Sequence, residues 1–205
     1  MTWQSLAICL GMTVVLASIL PSSAKAGNVS VSQHTRTYRV SGETIQAVVK
    51  SMKRNGPQSE LHGRRALGMA DYRFRTSLKT VKKGSACHVE NAKVTMRISY
   101  VLPRLVRPQR LRSSHQSRWR RIHSMIRRHE DQHGRYYRLF ANQLQRSLAA
   151  IPPQRSCAAI RKLEKQIKKR LEKASVRRNR RFDRAQYRPF NRRLKQLAPK
   201  RRTRR

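Results

Sequence analysis

The chain has 205 residues, which suffices for one domain with a core of its own plus extensions and excludes two full-sized domains. It carries 49 Lys and Arg against 9 Asp and Glu, a formal net charge of +40. Self-repulsion on that scale opposes compaction, and the surface attracts polyanions: nucleic acid, acidic envelope polymers or lipids, or acidic proteins.

Residues 6–20 form an almost wholly apolar run of 15, closed by Pro21 and then by the A-x-A pattern Ala24-Lys25-Ala26. About 20 residues are needed to span a bilayer, so this run reads as an export signal over residues 1–26, cleaved after Ala26. The expected location is therefore periplasmic or secreted. The segment before the run has no Lys or Arg, so only the amino terminus supplies positive charge there. Cys9 precedes most of the apolar run, which argues against a lipoprotein site and removes this cysteine with the signal. Two cysteines remain, Cys87 and Cys157. In an exported chain they read as one disulfide. It would close a loop of about 70 residues and contribute on the order of 4 kcal/mol in the chain-entropy model.

The next elements follow from periodicity. Residues 27–42 alternate in the manner of a strand, with Val29 and Val31 and then Tyr38 and Val40. Residues 44–54 place Ile45, Val48, Val49 and Met52 on one helical face, ended by Asn55-Gly56-Pro57. Residues 66–78 alternate again, with Tyr72, Phe74 and Thr76 opposite Arg73 and Arg75. Lys82-Lys83-Gly84-Ser85 is a turn, and residues 86–101 read as a long strand or a hairpin. Pro103 and Pro108 mark a connector. Residues 117–150 form the strongest helix, with Trp119, Ile122, Ile126, His129, His133, Tyr137, Phe140, Leu144 and Leu148 at three- and four-residue steps and Pro152-Pro153 as its stop. Residues 158–205 hold 21 Lys and Arg against Glu164, Glu172 and Asp183. Ile160, Leu163, Ile167 and Leu171 keep helical spacing, but after Ser175 the apolar spacing fades. The expectation is a basic helix followed by a disordered tail, appended to a domain over residues 27–157.

The chemistry sits in His129-Glu130-Asp131-Gln132-His133. Two histidines four apart share one helical face, so their imidazoles can converge on a single ion at about 2.0–2.1 Å. Zn2+ is the expected ion, and it would act as a Lewis acid that acidifies water. Glu130 lies about 100° further round, at the edge of that face, placed to take a proton from water and return it to a leaving amine. Tyr136 and Leu139 stand where the metzincin extension requires Gly and His, which excludes that class. No histidine follows His133. The third ligand therefore stays open between Glu164, His88, His115, His123 and an acid from the strands. Tyr136 and Tyr137 are candidates to stabilise an oxyanion or, more simply, core residues.

The chain resembles a bacterial domain-of-unknown-function family of predicted secreted zinc-dependent proteases. The resemblance spans residues 38–157. It rests on Tyr38-Arg39-Val40-Ser41-Gly42, Asn55-Gly56-Pro57, Gly63-Arg64-Arg65, Gly84-Ser85-Ala86-Cys87-His88-Val89, Leu102-Pro103, Trp119 and the His129–His133 motif, in this order and spacing. It implies a zincin-like α+β domain with antiparallel strands packed on the long helix, His129 and His133 as metal ligands and Glu130 as base. Asp71-Tyr72-Arg73-Phe74 departs from the tryptophans of the family's pattern, and the basic tail lies outside the resemblance.

Two functions follow as expectations. One is a secreted zinc endopeptidase acting on protein or peptide substrates. The other is an exported polycation whose tail grips an anionic envelope surface or polymer, with an inactive or structural metal site. Nucleic acid is disfavoured as a partner, because no recognition fold is visible and aromatics are scarce in the tail.

Overall fold

A computed structural model describes residues 28–59 and 64–199. The expected export signal, Cys9 and the last basic residues lie outside these. The elements run β1 (Asn28–Val40), α1 (Ile45–Asn55), β2 (Gln58–Ser59), β3 (Arg64–Arg65), β4 (Met69–Lys83), β5 (Ala86–Leu105), α2 (Ser113–Ala149) and α3 (Cys157–Leu197). The architecture is α+β, with a three-stranded sheet and three helices.

The sheet order is β1-β5-β4. The β4–β5 hairpin is antiparallel and turns at Gly84, whose φ of 58° favours glycine. β1 pairs with β5 in parallel, from Asn28 opposite Lys93 to Val40 opposite Leu105. The all-antiparallel expectation is thus corrected. Period-2 alternation reports which side chains face the core but not the direction of the neighbouring strand, and the long excursion through α1 and β4 permits the parallel return.

Alternation puts Val94, Met96, Ile98, Tyr100 and Leu102 of central β5 into the core, each at most 2 % exposed. Burying each large apolar side chain stabilises the fold by about 1.5–3 kcal/mol. The opposite face is open, with Arg73 and Arg75 of β4 beside Arg97 and Thr95 of β5. α1 buries Ile45, Val48, Val49 and Met52 as its spacing predicts, and the Thr44 side chain caps it by accepting from the Ala47 N–H.

α2 crosses the apolar face of the sheet. Its buried line is Ile122, Ile126, Glu130, His133, Tyr137, Leu144 and Leu148. Gly134 in mid-helix has a steric reason: a Cβ there would collide with the Tyr100 hydroxyl. Tyr72 and Phe74 of β4 pack on Tyr137 and Phe140 of α2, with Tyr72 and Tyr137 ring centroids 4.4 Å apart.

α3 lies antiparallel along α2. Ser156 caps it by accepting from the Ala159 N–H. The Cys87–Cys157 disulfide joins its first residue to β5, with the Cα atoms 5.2 Å apart. Helix does not stop near Ser175, as the fading apolar spacing predicts, but continues to Leu197. The reason is that the inward stripe changes chemistry rather than ending. Ile160 and Leu171 give way to buried Ser175 and Asn179 and half-buried Asp183, and then Leu194 and Leu197 are buried again. Four-residue steps from Leu171 through Ser175 and Asn179 to Asp183 keep all of them on one face.

Candidate metal centre

α2 and α3 meet where these stripes turn polar. His129 and His133 project from α2, and Asp183 projects from α3. The Asp183 Oδ1 lies 2.9 Å from His133 Nε2 and 3.2 Å from His129 Nε2, and the two Nε2 atoms are 3.3 Å apart. One ligand atom from each of the three residues falls within 4.8 Å of the others. Among the described residues this is the one cluster of three His, Cys, Asp or Glu side chains able to hold a metal ion.

Asn179 sets the protons. Its amide nitrogen donates to the Ser175 carbonyl at 2.9 Å, which turns its Oδ1 toward His133 at 2.6 Å. His133 Nδ1–H therefore donates to Asn179, and in the neutral ring the Nε2 lone pair faces the Asp183 carboxylate and His129. Three lone pairs so disposed would repel one another; a proton on the Nε2 of either histidine, donated to Asp183, or a metal ion among the three atoms relieves this. Burial alone would push His133 down, but hydrogen bonds to Asp183 and Asn179 and the charges of Asp183 and Glu130 outweigh it and raise its pKa. Burial pushes Asp183 up, yet hydrogen bonds from both histidines and their charge hold it well below the usual carboxylate range. Separations of 2.9–3.3 Å are close to the roughly 3.3 Å edge of a tetrahedron whose centre is about 2.0–2.1 Å from each ligand. Two imidazoles and one carboxylate, with one histidine oriented by a second hydrogen bond, fit a zinc ion.

Glu130 is the most deeply buried member of the motif, 5 % exposed, rather than at the edge of the face. The backbone ahead of β4 closes over it. A backbone hydrogen bond from Ala70 holds the carboxylate, and a Cβ on Gly68 would stand 2.8 Å from Glu130 Oε1 and 2.6 Å from Ile126 Cγ2, so glycine permits this approach. Burial pushes the Glu130 pKa up to about 7, against the opposing pull of His129, His133 and the Ala70 bond. Phe182 of α3 stacks on His129 with ring centroids 4.8 Å apart. Glu130, both histidines and Asp183 line a cleft of about 810 Å³ between the start of β4 and the C-terminal half of α3.

The other predicted candidates stand elsewhere. Glu164 accepts from Thr76 Oγ1 at 2.6 Å and pairs with Lys168 at 3.5 Å. It is 19 residues before Asp183, about 28 Å along the helix. His123 lies against Trp119, His115 is in the first turn of α2, and His88 faces Val81 in the hairpin. Tyr137 donates to the Ala70 carbonyl at 3.0 Å, and Tyr136 contacts Phe182 and Arg178, so both act in packing. Sequence reasoning named Asp183 as a tail acid but missed it as a ligand. The available signal was its phase: it is four residues from Asn179 and eight from Ser175, in line with Leu171.

Fold and site together define an α+β domain with a two-histidine, one-carboxylate candidate metal centre beside a buried glutamate. The chain belongs to the DUF922 family of bacterial proteins of unknown function, whose sequence profile matches residues 35–188 and so takes in the whole centre. No curated protein and no solved structure matches it.

Proposed function

We propose that this protein is an exported zinc-dependent endopeptidase of zincin-like type. The observation that carries the reading is the convergence of His129, His133 and Asp183 within hydrogen-bonding distances, next to a buried Glu130 in an open cleft. His129, His133 and Asp183 would hold the zinc, which when bound would supply Lewis acidity to water and to the scissile carbonyl. Glu130, its affinity for a proton raised by burial, accepts the proton from the attacking water and delivers it to the departing amine. Asn179 keeps His133 in one tautomer, and Phe182 fixes the His129 ring. Burial of Glu130 reduces the screening of its carboxyl by bulk water.

The test is metal analysis beside a cleavage assay. Purified protein is expected to hold about one zinc per chain, and a chelator is expected to abolish peptide cleavage. Glu130→Gln should retain the zinc and lower kcat by about 10²–10⁴-fold, whereas Asp183→Ala should lose the metal. Full activity of metal-free protein, or iron in place of zinc, would overturn the assignment.

A second reading is supported by the outward face of α3, where Arg161, Lys165, Lys169, Lys173 and Arg177 are exposed. An anionic envelope polymer would bind this face with steep salt dependence, whether or not the centre is active.

A further inference from the structure

The geometry points to acidic peptides as the substrates of the cleft, an inference that rests on the peptidase reading above. The cleft beside Glu130 is lined at its mouth by Arg65, ahead of β4, and by Arg184, next to Asp183 on α3. A second hollow of about 370 Å³ meets it at His129 and Phe190, and Arg128, Arg135 and Arg193 line that one. All five arginines are exposed, and none is ion-paired among the described residues. The acids lining the two hollows are Glu130 and Asp183, and both are already committed to the centre.

A peptide laid past His129 thus has guanidinium groups without an ion-pair partner on either side of the reacting bond. Arg65, Arg128 and Arg135 each give one N–H, to Gly56 O, Ser124 Oγ and Gln132 Oε1 respectively, and keep their other N–H groups; no carboxylate beyond Glu130 and Asp183 repels the peptide's own. Guanidinium forks bind carboxylates with two parallel hydrogen bonds, a stronger and more directional contact than a general positive field provides. Partial enclosure in the cleft reduces the screening that weakens such pairs on an open surface. Lysine- or arginine-flanked peptides would meet uncompensated repulsion at both ends. The chain itself, with 9 acids in 205 residues, offers few matching bonds and is thereby spared from its own activity.

The experiment uses zinc-loaded protein and three quenched-fluorescence peptides with one common centre, flanked by Glu, by Gln or by Lys. The Glu peptide is expected to exceed the Gln peptide at least about tenfold in kcat/KM, with the gap closing as salt rises. Arg65→Gln with Arg193→Gln, and separately Arg184→Gln, should shrink the Glu-to-Gln ratio toward one at unchanged zinc content. Equal cleavage of the three peptides, or a preference that survives both variants, overturns this inference alone. No cleavage of any peptide by zinc-loaded protein overturns the peptidase reading and this inference with it.

Discussion

The two long helices lie side by side and share the candidate centre, yet different forces hold them. α2 is seated on the sheet by an apolar line from Ile122 to Leu148 that is interrupted at Glu130 and His133. α3 is longer, 41 residues against 37, but of its apolar side chains only Ile160, Leu171, Leu194 and Leu197 are buried, while Leu163, Ile167 and Phe190 pack against the core half-buried. Its attachment depends on discrete ties: the disulfide at its start, the Glu164–Thr76 bond, and the polar stripe that meets the histidines. A helix packed by area holds without any one contact. A helix held against its own charge by a few links should respond to the loss of each.

The sharpest way to break this contrast is to reduce the disulfide. Cys157→Ser should destabilise the protein by about 4 kcal/mol from the length of the opened loop. Hydrogen exchange should quicken along α3 well before α2, and equal loosening of both would show that α3 is not the weaker partner. Next comes the buried carboxyl. In metal-free protein Glu130 has a folded pKa of about 7, above its unfolded value, so its favourable contribution is complete below about pH 4.3 and is lost as pH rises through 7. Glu130→Gln should therefore raise the stability of metal-free protein at pH 8 by up to about 3 kcal/mol and change little at pH 4, read from urea unfolding at the two pH values. A smaller effect is expected at Asn179. Removing the acceptor for His133 Nδ1 in Asn179→Ala should weaken zinc by about 10–100-fold, measured by competition with a chromophoric chelator. The smallest is at the cap: Ser156→Ala should cost about 1 kcal/mol, with exchange rising in the first turn of α3 only.

The same contrast explains what could be read in advance. α1, β4 and α2 follow their apolar patterns because burial on one face of a regular element leaves a period in the sequence. The Cys87–Cys157 pairing follows from two cysteines remaining once the expected export signal is set aside. α3 beyond Ser175 escaped because its inward face there is Ser175, Asn179 and Asp183, which a search for apolar spacing does not register. Glu130 was expected at the edge of the face and is instead covered, because the backbone at Gly68 comes from another element.

By itself the chain determines its local elements, its charge and the pairing of His129 with His133, since these depend on residues within a helical turn or two of each other. The tertiary structure alone decides that β1 runs parallel to β5, that Asp183 reaches the histidines from 50 residues beyond His133, and that Glu130 is shielded from water. Strand direction, a ligand brought from a distant helix and the solvent exposure of a carboxyl all depend on what packs against a residue. Local periodicity does not carry that information.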